Sequence, residues 1–178
     1  HIIYGCGSGN CCKICVVFWR SVESRSCKQY LENPKKVAFM REFNTYTGTY
    51  KGIEVTVTST GIGAPSAAIA MEEMYEAGME VAVRMGTVMS MQDDMLGHFL
   101  IPIAAMRREG TSQSYVDLSY PAVADIDLVN AMNETVTKMG KRYLNGNETV
   151  QWMDSTAICM IPDFLWSGEG TCPRHLRK

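Results

Sequence analysis

Residues 56–66 read TVTSTGIGAPS and residues 81–87 read VAVRMGT, with a run rich in alanine, methionine and glutamate between them. The β-branched residues before Gly61 predict a strand. Pro65 and the alanines after it predict a helix, because proline is tolerated in a first helical turn and alanine favours helix. Gly78 marks the end of that helix, and the second run begins as another apolar strand. A strand–helix–strand crossover of this kind is the unit of a parallel sheet.

Two polar side chains, Arg84 and Thr87, follow the second predicted strand at its carboxyl end. Open α/β sheets usually bind their ligands at that edge. The crossover therefore predicts both the fold class and the edge at which to look for a site.

The composition is that of an ordinary globular chain. It has 178 residues, of which 46% are apolar and 20% charged, and a formal net charge of −2. These values predict a single domain over residues 1–178, without a broad attraction to nucleic acid or anionic membranes. No apolar run is long enough to span a bilayer, and no charged region precedes the apolar segment that ends at Arg20. We therefore expect a cytoplasmic protein without a signal peptide.

The chain has seven cysteines, which cannot all pair with one another. Four of them lie close together near the start: Cys6, Cys11, Cys12 and Cys15. The Cys12-x-x-Cys15 spacing could belong to a metal or redox site, whose distant partners would be Cys27, Cys172 or His175. No second Cys-x-x-Cys follows, so reduced, packed thiols are the favoured interpretation and no metal is predicted.

The first 34 residues are the least regular part of the sequence. A predicted strand at 2–4 precedes a glycine-rich loop at 5–10, which includes Gly9. Such a loop can bind phosphate through its N–H groups or can be a structural turn, and the sequence leaves both readings open. Residues 15–28 show no clean periodicity and predict an exposed or poorly packed insertion.

Beyond this segment the chain becomes regular. Strands are predicted at 37–39, 45–50, 54–59 and 99–105, with a turn at Lys51-Gly52. Asp125 is the predicted N-cap of a helix that ends at Gly140 and has an apolar stripe for the core. The pattern weakens after Arg142, and it gives no fold for residues 143–178.

The words STGIGAPS at 59–66 and RMGT at 84–87 resemble the signature of the nucleoside phosphorylase family, and most of all that of its uridine phosphorylases. Three further stretches match in the same order: Arg41–Phe43, Arg107–Ser112 and Tyr120–Asp125. The resemblance covers about residues 35–142. It implies an α/β fold with a mixed, largely parallel sheet flanked by helices.

The resemblance also implies an activity, the phosphorolysis of a nucleoside, with uridine the expected one, to base and ribose 1-phosphate. Inorganic phosphate is the co-substrate, and no metal or organic cofactor is needed. The family assembles as homodimers or as hexamers of dimers, and neither nucleic acid nor membrane is an expected partner.

Several residues receive roles from the resemblance. Arg84 and Thr87 match the catalytic, phosphate-binding pair, and Arg41 matches an arginine that reaches the neighbouring subunit's phosphate. Arginine suits this task because its planar fork donates two parallel hydrogen bonds and keeps its charge. Gly9 belongs to the candidate phosphate loop. Three residues would line the substrate pocket: Val88, Met89 and Glu169.

Departures from the family pattern predict low or absent activity. Asn10 stands where the phosphate loop has an arginine. Glu169 stands where a glutamine reads the pyrimidine, and an ionised glutamate can only accept hydrogen bonds. The ribose-binding Glu-Met-Glu segment would fall beyond Lys178. The alternatives are a non-catalytic phosphate- or nucleoside-binding protein or fragment, and a cysteine-rich metal- or redox-responsive module.

Overall fold

The computed structural model describes residues 11–87, 97–151 and 159–161. Two compact units make up the chain, His1–Met85 and Gly86–Lys178. The single domain expected over residues 1–178 stays a prediction. The strand predicted at 2–4 and the loop at 5–10 lie outside the described residues. In the described part, no helix combines the length and the apolar character needed to cross a membrane.

The first unit is a mixed sheet with two helices. Its strands are β1 (Ile14–Phe18), β2 (Glu32–Met40), β3 (Phe43–Tyr50), β4 (Ile53–Ser59) and β5 (Val81–Arg84), and its helices are α1 (Ser21–Cys27) and α2 (Ala64–Glu76). The strands follow the order β2-β3-β4-β1-β5. β1 is parallel to both β4 and β5, whereas β2, β3 and β4 form an antiparallel meander. The predicted mixed α/β architecture is confirmed.

The crossover from β4 through α2 to β5 is confirmed. Pro65 lies in the first turn of α2, and Gly78 follows the helix with a φ of 107°. The buried residues of the helix are all alanines or methionines: Ala64, Ala68, Ala70, Met71 and Met74. β4 and β5 are not adjacent, because β1 lies between them.

β1 and α1 correct the prediction for residues 15–28. Cys15, Val17 and Phe18 are buried in the sheet, and Ser24 of α1 is fully buried. The expectation of an exposed or poorly packed segment is therefore wrong. A five-residue central strand covered on both sides has no polar face, so it lacks the alternation by which strands are recognised.

Two short hairpins complete the first unit. β3 and β4 are joined by Lys51-Gly52, whose φ angles of 51° and 80° are those of a type I′ turn. β2 and β3 are joined at Arg41-Glu42, because Met40 pairs directly with Phe43. The predicted turn at Lys51-Gly52 is confirmed.

The second unit contains β6 (Phe99–Arg108), β7 (Ala122–Val123), α3 (Ile126–Lys138), β8 (Tyr143–Gln151) and β9 (Cys159–Ile161). β6 lies between an antiparallel β7 and a parallel β8. Asp125 caps α3 as predicted, since its carboxylate accepts the N–H groups of Asp127 and Leu128.

Burial in the second unit agrees only in part with the sequence pattern. Val129 and Val136 of α3 are buried, whereas Met139 is 57% exposed just beyond the helix. The strand predicted at 99–105 is observed as part of β6. Its neighbouring residues Ile101 and Pro102 are buried, whereas Ile103 is 42% exposed.

Candidate active site

The carboxyl ends of β1 and β4 form a fixed edge of the first unit's sheet. Phe18 pairs with Ser59, the last residue of β4. The ladder continues beyond the strands, since the Thr60 N–H donates to the Phe18 carbonyl at 2.7 Å and the Gly61 N–H donates to that of Trp19 at 2.9 Å. These two N–H groups are therefore used by the backbone, and the loop after β4 is held in one position.

Arg84 lies at the same edge, as the last residue of β5 and opposite Val17 of β1. Its side chain is only 3% exposed, and the following Met85 N–H donates to the Val17 carbonyl at 2.8 Å. A buried guanidinium keeps its charge, and burial strengthens its attraction for an anion. The predicted position of Arg84 at a strand's carboxyl end is confirmed.

Serine side chains connect the loop after β4 to the hairpin at Arg41-Glu42. The Ser59 hydroxyl donates to the Glu42 carbonyl at 2.6 Å and accepts the Asn44 N–H at 3.0 Å. The Ser66 hydroxyl, in the first turn of α2, lies 2.5 Å from the Thr60 carbonyl and 3.2 Å from Glu42 Oε1. The hairpin tip is thereby tied to the strand-end loop.

Gly61 lies directly beneath the Glu42 side chain. A Cβ atom at this position would lie 2.3 Å from Glu42 Cγ, and the backbone φ of +74° is one that L-residues rarely adopt. Both the contact and the conformation therefore require glycine. Glycine at this position leaves room for the Glu42 side chain, which also lies within hydrogen-bonding distance of Ser66.

Arg41 is at the tip of the hairpin, exposed and with a φ of 54°. Positive φ is uncommon for residues other than glycine, and here it sets the turn that brings Glu42 over Gly61. Its role across a dimer interface stays a prediction. Thr87 is exposed and is the last described residue before the gap at 88–96.

Glu42 and Ser66 are the two residues of this edge that sequence reasoning missed as site residues, although both fall inside the motif words. A signal was present, because Glu42 directly follows Arg41 and Ser66 follows the helix-opening proline. The remaining predicted site residues lie outside the described part of the chain: Gly9, Asn10, Val88, Met89 and Glu169.

Arg107 is the first residue of the Arg107–Ser112 motif, and its side chain stabilises a loop in the second unit. Its guanidinium donates to five oxygens at 2.7–3.1 Å: Ser112 Oγ and the carbonyls of Ser112, Val116, Asp117 and Tyr120. A planar fork with donors in several directions is suited to gathering carbonyls in this way.

Glu109 stabilises the start of the same loop. Its buried carboxylate accepts the Thr111 N–H at 2.6 Å and the Ser112 N–H at 3.0 Å. The contacts of Arg107 and Glu109 thus give the Arg107–Ser112 motif a structural role in this loop.

Comparison with known proteins places these features in a family. The model of the phosphorylase superfamily matches residues 20–150. A uridine phosphorylase of Thermococcus kodakarensis is 44% identical over 113 residues, which are 63% of this chain and 41% of that protein. A uridine phosphorylase of Treponema pallidum is 40% identical over 124 residues, covering 69% of this chain and 48% of that protein.

A guanosine phosphorylase of Halorubrum lacusprofundi is 40% identical over 102 residues, covering 57% of this chain and 42% of that protein. The chain spans less than half the length of each of these three relatives. Among solved structures, a uridine phosphorylase from Vibrio fischeri superposes with a TM-score of 0.80 at 30% identity, over 84% of this chain and 63% of that one.

The matched region includes the crossover, the loop after β4 and Arg84, and it extends over well more than half of the chain. Sequence motifs, fold and the similarity over residues 20–150 therefore agree. The chain belongs to the phosphorylase superfamily.

Proposed function

We propose that this chain carries out the phosphorolysis of a nucleoside, with uridine as substrate, inorganic phosphate as co-substrate, and uracil and ribose 1-phosphate as products. The observation that carries the proposal is the buried Arg84 at the carboxyl end of β5. Relatives named uridine phosphorylase support the choice of reaction and of uridine.

The chemistry requires little covalent help from the protein. Phosphate is the nucleophile, and positive charge develops on the ribose as the glycosidic bond breaks. The main task is to hold a dianion in position, which lowers the barrier through orientation and electrostatic stabilisation. Arg84 supplies a permanent charge and a planar pair of donors, and Thr87 would add a hydroxyl.

Arg41 is proposed to complete the phosphate site of a second subunit in a homodimer. Its exposure at the hairpin tip is compatible with that role, because a solvent-facing side chain can reach another molecule. The contacts of Glu42 with Gly61 and Ser66 would hold this tip in place. We further propose a cytoplasmic location and a reaction without metal or organic cofactor.

Base selection is assigned to Val88, Met89 and Glu169, with Gly9 in a phosphate loop. The apolar pair would narrow the pocket, and Glu169 would replace a glutamine that both donates to and accepts from uracil. Because a guanosine phosphorylase is among the relatives, guanosine is the substrate against which uridine should be compared.

The decisive experiment measures uracil release from uridine by the purified chain, with phosphate present and with phosphate withheld, and guanosine in parallel. We expect phosphate-dependent release at a turnover well below about 10 per second, the median for enzymes. The Arg84→Ala variant should lose this activity, and a variant of the exposed Arg25 on α1 should keep it.

Release that does not depend on phosphate would exclude phosphorolysis. Phosphate binding in calorimetry without any turnover would instead support a non-catalytic, ligand-binding protein. Faster release from guanosine than from uridine would keep the reaction and overturn the substrate.

A further inference from the structure

Two cysteine sulfurs lie close together at the amino end of β1. The candidate active site is at the other end of this strand. Cys11 Sγ lies 3.4 Å from Cys15 Sγ. Cys15 is fully buried at the sheet position opposite Thr56, whereas Cys11 is partly exposed. The sulfur partner of Cys15 is therefore Cys11, and not Cys12 as the Cys-x-x-Cys spacing suggested.

Thr56 organises this pair from the neighbouring strand. Its hydroxyl oxygen accepts the Cys12 N–H at 2.9 Å and lies 3.5 Å from Cys11 Sγ. The first contact fixes the chain just before β1. The second places a hydroxyl where it can donate to a Cys11 thiolate, the ionised form that is the nucleophile in thiol chemistry.

The two thiols differ in acidity. The pKa of Cys11 is lowered from 9.0 to about 7, chiefly by the hydrogen bond with Cys15, while burial acts in the opposite direction. The pKa of Cys15 is raised, because it provides the proton of that bond and is buried. Near neutral pH, Cys11 is therefore partly ionised beside a Cys15 that remains a thiol.

A metal site is the competing explanation for clustered cysteines. In the ranges 11–87, 97–151 and 159–161, no three His, Cys, Asp or Glu side chains come together as metal ligands. Cys27 is also a free thiol with a pKa raised by burial, and it packs against the cluster of Phe18, Leu31 and Val57. Chemistry between two thiols fits the arrangement better than metal binding.

We propose that Cys11 and Cys15 form a reversible dithiol–disulfide pair that reacts with small disulfides such as glutathione disulfide. Cys11 is the accessible attacking thiol. Cys15 is the buried resolving thiol. The pair is a modification site independent of the proposed phosphorylase activity.

The reaction proceeds in two exchange steps. The Cys11 thiolate attacks one sulfur of glutathione disulfide, which forms a mixed disulfide and releases one glutathione thiolate. Cys15 then loses its proton and attacks the Cys11 sulfur, which forms the internal disulfide and releases the second glutathione. Two protein thiols are oxidised, one glutathione disulfide is reduced to two thiols, and the two protons pass to the departing glutathiones.

The geometry requires only a small movement. A disulfide joins its sulfurs at about 2.05 Å, so the atoms must approach by a little over 1 Å from their present 3.4 Å. Cys11 precedes β1 and can supply that movement by side-chain rotation, while Cys15 stays in the strand. The bridge would then replace the contact of Cys11 with the Thr56 hydroxyl.

The test uses the full chain, reduced, freed of reductant and exposed to glutathione disulfide near neutral pH, followed by alkylation, trypsin and peptide mass mapping. Trypsin cuts after Lys13, which separates Cys11 from Cys15. The bridge should therefore appear as two linked peptides that separate on reduction. The Cys12→Ser variant should give the same linked pair at the wild-type rate, because Cys12 is not the partner.

Two further variants identify the roles. Cys15→Ala should accumulate a mixed disulfide with glutathione on Cys11, and Cys11→Ser should lose the linked pair. Circular dichroism of each variant checks that it is folded, and the partly exposed Cys11→Ser change keeps the test valid if Cys15→Ala does not fold. A linked pair that persists in Cys11→Ser or disappears in Cys12→Ser would overturn the assignment, as would oxidation of Cys27 ahead of Cys11.

Discussion

At the candidate site, a Cβ atom at Gly61 would collide with the Glu42 side chain. The glycine gives the loop after β4 its positive φ and leaves room for the Glu42 side chain, so that one residue type satisfies a conformational and a packing requirement together. Ser59 and Ser66 bond the same Glu42, which lies in the hairpin that carries Arg41. Small changes here should therefore affect both stability and the site.

Gly61→Ala should destabilise the protein more than Gly52→Ala. Both glycines have positive φ, for which an L-residue costs about 1–2 kcal/mol. Only Gly61 would also place its new methyl group against Glu42, since nothing lies within 4 Å of a Cβ at Gly52. Urea unfolding of both variants measures the difference, and adding Glu42→Ala to Gly61→Ala should recover part of it. Equal losses for the two single variants would show that the contact does not matter.

Arg84→Ala should weaken phosphate binding by about 2–3 kcal/mol, the scale of a lost charge-assisted hydrogen bond. Arg25→Ala, which removes an exposed arginine of α1, is the matched control and should bind phosphate as the wild type does. Calorimetric titration with inorganic phosphate measures both, after unfolding experiments show that each variant is folded. Unchanged affinity in Arg84→Ala would remove this residue from the site.

The alkylation rate of Cys11 should rise with pH through a midpoint near 7, the lowered pKa of this thiol. Cys15→Ala removes the hydrogen bond that contributes most to the lowering, so the midpoint should move upward, toward the ordinary value of 9.0. The rate can be followed by mass spectrometry of the peptide that ends at Lys13, in a background that carries both Cys6→Ser and Cys12→Ser, because this peptide contains all three cysteines. A midpoint that does not move would show that Cys15 does not stabilise the Cys11 thiolate.

Among the larger elements, the loop from Ser112 to Tyr120 depends on one side chain from β6. Arg107 gathers its carbonyls, while the next residue, Arg108, is exposed at the end of the same strand. The two arginines have equal charge and adjacent positions. They differ mainly in the bonds that they make.

Arg107→Ala should open this loop, and Arg108→Ala should not. Removing the guanidinium breaks five hydrogen bonds, three of them exposed to solvent, and a hydrogen bond typically contributes about 0.5–1.5 kcal/mol net to stability. Limited proteolysis and hydrogen exchange of the loop amides measure the opening. Arg107→Lys should restore little of the protection, because one ammonium cannot reproduce the planar fork. Equal protection in Arg107→Ala and Arg108→Ala would contradict the structural role.

For the whole molecule, the proposed homodimer makes each site depend on two chains. Arg84 is buried at the end of a strand in its own subunit. Arg41 is exposed at a hairpin tip and is proposed to bind the phosphate of the neighbouring subunit. A site built in this way is complete only in the assembled pair.

Mixing Arg41→Ala chains with Arg84→Ala chains should restore activity that neither variant has alone. In a mixed dimer, one of the two sites keeps both arginines. If subunits exchange freely, half of the dimers are mixed and half of their sites are intact. The mixture should therefore recover about a quarter of wild-type activity. Uracil release measures the recovery, and labelled chains confirm the exchange. If exchanged dimers stay inactive, each site is built from a single chain.

Local patterns allowed much of this protein to be predicted. The β4–α2–β5 crossover, the turn at Lys51-Gly52 and the Asp125 cap are each determined by a few neighbouring residues, through glycine conformations, helix propensity and capping. Arg84 was predicted at its observed strand end because the crossover itself sets that position. Thr87 and Arg41 are described, but their roles depend on a ligand or a second subunit and stay predictions.

Only the tertiary structure decided the rest. β1 has no polar face to reveal it, so its place between β4 and β5 follows from pairing with strands about 40 and 65 residues away. The contact of Glu42 with Gly61, and the choice of Cys11 over Cys12 as the partner of Cys15, also depend on which backbones come together in the sheet. Features that depend on residues adjacent in the chain can be predicted from the sequence. The candidate site and the thiol pair depend on residues that come together only in the folded structure.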